Sequence, residues 1–379
     1  MNEEQQYDCA VIGGGLAGLC LSIQLARQNH SVILFEKEQY PFHKVCGEYI
    51  SLESWDFLEN LGIPLSGLQV PIIKKLIVSA PDGTELKQEL PLGGFGISRF
   101  KIDNLLKEKA ILQGVVLKEH CKVEDVSFEN DSFRIHTTEG MFSAKICCGS
   151  FGKRSNLDVK WKRPFIMQKS NKLNNFIGVK YHVKTDFPVD SIALHNFEDG
   201  YCGISRVEDG NYCLCYLTNA ANLKRNNNSI AEMERNILYK NPHLQKIFTS
   251  CRHLYDQPLS ISQISFQQKS QVENHVLMIG DASGVITPLC GNGMSMAMHG
   301  SKIAAENIAL FLNNNISRAG MEKNYAEEWK RTFGGRLRTG RMIQRFFGRP
   351  WVTNIFIRIM KPLPFITRWL IRQTHGERF

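Results

Sequence analysis

Three glycines at fixed spacing carry the clearest chemistry in this 379-residue sequence. Gly13-Gly14-Gly15-Leu16-Ala17-Gly18 follows the apolar run at 7–12 and opens a helical run. Gly13 allows a tight turn, Gly15 lets a pyrophosphate approach the main chain, and Gly18 lets helix and strand lie close. The helix N-terminus then turns N–H groups and the positive end of its dipole toward phosphate. Glu36 closes the next apolar run, at the spacing of a carboxylate that takes a ribose hydroxyl. A ligand carrying an ADP moiety fits this stretch.

A second stretch has the same grammar. The apolar run 275–279 leads into Gly280-Asp281-Ala282-Ser283-Gly284, and Pro288, Gly291, Asn292, Gly293 and Met294 follow before a long helix. An Asp at the end of a buried strand can accept a sugar or ribityl hydroxyl. Gly291 and Gly293 would let a ring approach main-chain N–H groups at the helix start. Taken alone, the same pattern also fits a glycine-rich helix entry that satisfies its own caps.

The elements that position these stretches alternate in style. Leu16, Leu19, Cys20 and Ile23 give the first helix a buried face. Ser51 caps a helix that reaches Leu61, and a hairpin spans 71–91 around Pro81-Asp82-Gly83. Gly93-Gly94-Phe95-Gly96 reads as a bend, and an amphipathic helix over 101–112 buries Ile102, Leu105, Leu106 and Ile111. The run 144–149 reads as a strand returning to the first sheet. From 164 to 268 strands succeed one another with little crossover helix, the mark of an antiparallel sheet. The expected fold is α/β: a Rossmann-like nucleotide-binding domain (1–70, 97–158 and 272–315), an inserted, mainly antiparallel β substrate domain (71–96 and 159–271), and a helical C-terminal segment (316–379).

Composition sets bounds. Hydrophobic content of 43% and charged content of 22% are those of a globular protein. No apolar run reaches the length of a membrane span, and the first six residues lack the apolar core of a signal peptide. The eleven cysteines show no metal or disulfide spacing, which suggests reduced thiols in a cytoplasmic protein. No metal is expected, and the His-Glu-x-x-His and Gly-x-Ser-x-Gly motifs are absent. Twelve of the 46 basic residues lie in 330–379, against one of the 37 acids, so the remaining 34 basic and 36 acidic residues nearly balance. That basic segment alternates with bulky apolar groups, as an interfacial helix on anionic lipid does. A helical cap packed on the body with its arginines in water has the same pattern. Its apolar content is too high for a nucleic-acid patch.

Together the two glycine stretches resemble the p-hydroxybenzoate-hydroxylase-type flavoproteins, in which the first holds the ADP half of FAD and the second the ribityl-flavin half. Ser98-Arg99 with Asp103 resembles that superfamily's arginine contact to the cofactor. Within it, the sequence is most similar to the geranylgeranyl reductase family. Lys44-Val45-Cys46-Gly47-Glu48 matches a Cys-Gly signature, 197–203 matches a Phe-x-x-Gly-Tyr-x-Gly strand, and 288–293 matches the flavin-ring loop. The resemblance implies FAD contacts from Leu16, Ala17, Lys37 and Val123 as well, and substrate contacts from Tyr201 and Cys202. It puts Cys46 near the flavin ring, where the thiol would donate a proton, line the substrate cavity, or simply be an unreactive loop residue. Glu48 and His43 are further acid candidates.

Two departures refine the expectation. Phe151 stands where hydroxylases carry an Asp in Gly-x-Asp-Gly-x-x-Ser, and the Trp-x-Trp-x-Ile-Pro segment of flavin halogenases is absent. The expected activity is reduction of carbon–carbon double bonds in an isoprenoid or polyene-like substrate, with NAD(P)H or another reductant as electron donor. The alternatives are a monooxygenase acting on an aromatic or polyketide substrate and a non-catalytic FAD-binding protein. The basic segment adds a peripheral membrane contact to the expected partners.

Overall fold

The computed structural model describes residues 6–168, 174–286, 291–346, 349–374 and 376–379. Its strands, in chain order, begin with β1 (Gln6–Ile12), β2 (Val32–Phe35), β3 (Tyr49–Ser51), β4 (Ile72–Ser79) and β5 (Glu85–Gly96). Next come β6 (Val116–Lys118), β7 (Val123–Glu129), β8 (Ser132–Thr137) and β9 (Gly140–Gly149). Then follow β10 (Phe176–Lys184), β11 (Ser191–Phe197), β12 (Gly200–Arg206) and β13 (Tyr212–Asn219). The last are β14 (Arg252–His253), β15 (Leu259–Ile264), β16 (Val272–Glu273) and β17 (Val276–Met278).

Two sheets organise them. The first runs β16-β17-β9-β1-β2-β6, with the β7–β8 hairpin joined to β9. β1 pairs in parallel with both β2 and β9, and β17 extends the parallel run beyond β9. Its central strands are apolar and buried at 9–12, 32–35 and 146–148, where both faces are covered. One face packs on the helices Leu16–Ala26, Arg99–Leu112 and Gly293–Leu312, and the other on β7, β8 and Leu157. The second sheet runs β14-β10-β13-β12-β11-β4-β5-β3, and β15 pairs with β10. Its pairings are antiparallel except β11 with β4.

Three details differ from the sequence reading. Gly93–Gly96 is not a bend: β5 continues through it and pairs with β3. Gly94 is required there because a β-carbon would run into the Tyr49 ring, as one on Gly96 would into the Arg206 carbonyl. β3, expected within the nucleotide-binding unit, hydrogen-bonds into the second sheet. Ile111 is 48% exposed, because the buried face of the helix Arg99–Leu112 runs through Ile102, Leu106 and Ala110 at four-residue spacing and leaves Ile111 beside it.

The C-terminal segment is helical, with helices Arg318–Phe346, Pro350–Met360 and Pro364–Thr374. Among the described residues no helix is long and apolar enough to cross a membrane. Ten described cysteines are free thiols, and seven of them are fully buried.

Candidate functional site

The glycine loop has the geometry its spacing implies, with a different task for each glycine. Gly13 adopts φ +103°, and a β-carbon on Gly18 would meet the Gly13 carbonyl and the Ser150 hydroxyl. The Gly14 site is filled by the Tyr40 side chain, whose hydroxyl donates to the Gly14 carbonyl. Gly15 is different: the nearest atom to a β-carbon there would be an Arg99 guanidinium nitrogen, 3.7 Å away. Gly15 precedes the helix Leu16–Ala26, and no side chain caps that N-terminus. Open space, uncapped N–H groups and a cation together fit a pyrophosphate.

Two cations flank the loop. Arg99 grips Asp103 through Nε (2.8 Å) and Nη2 (2.7 Å), and Lys44 Nζ reaches the same carboxylate at 3.0 Å. Burial alone would raise the Asp103 carboxyl, but Arg99 and Lys44 hold it below its ordinary value. Lys44 also donates to the Gly14 carbonyl at 3.3 Å. Glu36 is buried, taking the Gly14 N–H at 2.9 Å and the Glu38 N–H at 3.1 Å. Its oxygens retain lone pairs for a ribose. Leu16 and Ala17 are buried in the first turn of the helix.

The late turn docks onto this loop. Gly280 has φ +61°, and a β-carbon there would lie 3.0 Å from that of Ala17 and 3.6 Å from that of Ala297. The two glycine stretches therefore meet across the start of one helix. Lys269 Nζ donates to the Asp281 carbonyl at 2.9 Å and to the Lys153 carbonyl at 2.8 Å. Burial pushes this lysine down to about 8, although Asp158 and Asp281 pull the other way. Asn292 is buried ahead of the helix Gly293–Leu312, and Met294 is buried within it. Gly291 (φ +63°) lies against the Tyr49 ring, 3.3 Å from where its β-carbon would be. Tyr49 Oη and Glu53 Oε1 are buried with no hydrogen-bond partner among the described residues. Burial raises the Glu53 carboxyl, partly offset by Arg336. Orphaned polar atoms beside the Gly291 turn fit a ring that carries its own donors and acceptors. Pro288 lies outside the described residues.

The loop 44–48 joins the two sheets. Three side chains on the inner face of the second sheet donate to its carbonyls: Lys180 Nζ to Lys44 (3.1 Å), Cys213 Sγ to Cys46 (3.2 Å) and Ser205 Oγ to Gly47 (3.3 Å). They come from β10, β13 and β12. Cys46 is half-buried and packs on the main core. Glu48, at φ +56°, occupies a backbone region that costs a non-glycine residue roughly 1–2 kcal/mol.

Glu48, expected as an acid candidate, is held in a buried network. It is fully buried, ion-paired with Lys180, 2.6 Å from His182 Nε2, and takes the Arg99 N–H at 2.7 Å. Burial would raise its carboxyl, but the Lys180 charge and the His182 hydrogen bond bring it down to about 2. It has no proton to give near neutral pH. Glu48, His182 and Cys213 hold their donor atoms within 4.8 Å of one another, a grouping of metal-ligand type. Here those donors are engaged by protein: Lys180 sits on Glu48, and burial keeps Cys213 a thiol that donates to Cys46.

Tyr201 and Cys202, expected together as substrate contacts, lie on opposite faces of β12. Tyr201 faces inward with Phe176, Leu217, Phe266 and Val285, next to the turn after Asp281. Cys202, its neighbour on β12, points to the opposite face, beneath Met233 and Leu244 of the helices covering the sheet. Strand alternation forbids both from lining one cavity. Lys37 is exposed and pairs with Glu38. Val123 opens β7 with its side chain in the second core and its carbonyl taken by Asn156 at 3.1 Å. His43 lies 3.0 Å from the Tyr255 hydroxyl, and its ring is 5.1 Å from that of His182. Sequence reading missed Lys180, His182, Tyr49 and Glu53. Only the phase of β10, where Gly178, Lys180 and His182 share one face, signals the first two.

A parallel sheet with an uncapped glycine turn, joined to a mainly antiparallel sheet by several crossings of which one is the cysteine-bearing loop 44–48, has the fold of FAD-dependent oxidoreductases. Residues 11–45 match the model of the NAD(P)-binding Rossmann-like domain. Conditioned medium factor receptor 1 of Dictyostelium discoideum is 24% identical, over 88% of this chain and 69% of its own. Digeranylgeranylglycerophospholipid reductase of Methanosarcina mazei is 23% identical, over 87% of this chain and 82% of its own. Among solved structures, a geranylgeranyl bacteriochlorophyll reductase-like protein from Thermoplasma acidophilum superposes with a TM-score of 0.80 at 16% identity, covering 99% of this chain and 97% of its own. The flavin-dependent brominase Bmp2 superposes with a TM-score of 0.79 at 20% identity, covering 98% and 93%. An ADP-type site on the fold of flavin-dependent enzymes supports FAD as the cofactor and an FAD enzyme as the class. Reductases and halogenases stand at similar distance, although the halogenase Trp-x-Trp-x-Ile-Pro segment is missing.

Proposed function

We propose that the protein is an FAD-dependent reductase of carbon–carbon double bonds in a hydrophobic, isoprenoid or polyene-like substrate. The observation that carries this reading is the apolar inner wall of the second sheet. Phe176, Leu194, Tyr201 and Leu217 pack with Phe266 and Val285 in one buried apolar cluster beside the Asp281 turn, surroundings of hydrocarbon character. Relatives named as reductases of geranylgeranyl lipids support the same class.

Gly15, Arg99 and Glu36 would hold the ADP half of FAD, and Asp281 with 291–294 the other half. FAD held there would supply hydride-transfer chemistry toward one alkene carbon. The chain supplies position, dryness and a proton. Cys46 Sγ–H donates that proton to the second carbon, and solvent reprotonates the thiolate. Arg99, Lys180 and His182 hold Glu48, and so the loop that presents Cys46. NAD(P)H or another reductant restores the cofactor.

Anaerobic mixing of the dithionite-reduced holoprotein with polyprenyl lipids tests this. Flavin oxidation should match formation of the saturated product mole for mole. Turnover that requires oxygen and leaves a labelled oxygen atom in product would replace this reading with a monooxygenase. A product halogenated in the presence of oxygen and halide would select the brominase-like chemistry, which the likeness to Bmp2 favours. Yellow protein without turnover in any assay would leave a non-catalytic FAD-binding protein, the class to which the similarity to a receptor points.

A further inference from the structure

The C-terminal helices present two contrasting faces. The helix Pro350–Met360 is fixed inward by Ile357, Phe356 and Met360 on Val78, Ala80 and Leu86. Arg358 pins it to Asp82, in the turn between β4 and β5, at 2.8 Å. Its outward side carries Trp351 (65% exposed), Ile355 (51%) and Ile359 (52%), four residues apart and so in one row. The helix Pro364–Thr374 continues this exposed apolar surface with Phe365 (82%), Ile366 (44%) and Trp369 (58%). With Leu363 (39%) between the two helices, seven large apolar side chains are exposed within 351–369, more than folding of a water-surrounded surface explains.

Charge selects the occupant. Residues 349–374 hold five basic side chains and no acid, while the chain before residue 330 is nearly balanced. Lys361, Arg368 and Arg372 are exposed along the same two helices. A symmetric contact with a second copy would set this cationic face against itself. An anionic lipid surface matches both properties: tryptophans and other apolar groups enter the headgroup boundary while lysine and arginine reach phosphate. Each helix is 11 residues, about 16 Å at 1.5 Å per residue, far short of the roughly 30 Å hydrocarbon layer. They can lie on a bilayer and cannot cross it.

We infer that the helices Pro350–Met360 and Pro364–Thr374 form a docking face for an anionic membrane surface. The inference is independent of the reductase reading, because binding is scored without substrate. Flotation of the holoprotein with phosphatidylcholine vesicles, with and without phosphatidylglycerol, tests it. Binding should require phosphatidylglycerol and weaken at high salt. It should fall about tenfold both in a W351S/F365S/W369S variant and in a K361Q/R368Q/R372Q variant. All six side chains are exposed, so flavin content and Tm should stay unchanged. Absence of vesicle binding, or binding that ignores lipid charge and both variants, overturns the inference. So does a wild-type dimer that ignores vesicles and dissociates in the apolar variant, since the face would then join copies of the chain.

Discussion

Glu48 Oε2 and His182 Nε2 lie 2.6 Å apart in the buried interior, while Lys180 holds the other carboxylate oxygen. One acid from the loop 44–48 thus answers two basic residues of β10, and this joint decides how the two sheets meet.

Removing its charge should be costly. Glu48→Gln leaves Lys180 buried without a counter-charge, a change worth roughly 3–5 kcal/mol. Urea unfolding should show that loss. A variant within experimental error of the wild type would mean the pair contributes no net stability.

The same acid predicts an acid limb. Its folded value, about 2, lies below the ordinary 4.5. Its stabilisation is therefore complete above about pH 4.5 and is lost as pH falls through the folded value. Across that window the loss should approach about 3 kcal/mol, at 1.36 kcal/mol per unit. Denaturant midpoints measured from pH 6 to pH 2 should fall less steeply in Glu48→Gln than in the wild type.

Two glycine variants should separate binding from folding. Gly15→Ala places its methyl in open space, 3.7 Å from Arg99, where phosphate would lie. Flavin retention should drop about tenfold, the equivalent of one hydrogen bond to an anion, with Tm unchanged. Gly18→Ala drives a methyl into the Gly13 carbonyl and to 3.2 Å from Val11 Cγ1. It should cost about 1–3 kcal/mol of stability, read by thermal melting of the apoprotein.

Cys46→Ala should leave flavin content intact and slow product formation about a hundredfold. The rate of flavin reduction by the donor should not change. An unaltered product rate would assign the proton to another group.

Lys269→Met should weaken flavin binding, because the Asp281 carbonyl loses the ammonium that anchors it to 153. Equilibrium release of flavin in mild denaturant would report the change, while near-equal affinity would make Lys269 purely structural.

What the sequence makes legible follows from local rules. An apolar run into glycines and a helix is encoded within about 30 residues, so Gly13 to Glu36 and the turn at Gly280 could be read directly. The strands at 192–197 and 212–216 follow from alternation. Lys180 and His182 could not be read that way, because their partner Glu48 lies more than 130 positions earlier and comes near only when β10 covers the loop. Gly94 carried no meaning until the Tyr49 ring was known to lie against it. That Tyr201 and Cys202 face opposite sides was legible from strand alternation alone.

The loop 44–48 has one further consequence. Lys44 touches the Gly14 carbonyl while its own carbonyl is held by Lys180, and Glu48 receives the Arg99 N–H. The loop therefore ties β10 to the Gly14 carbonyl and to the start of the helix Arg99–Leu112, so a variant that loosens β10 should be read for its effect on flavin retention as well as on folding.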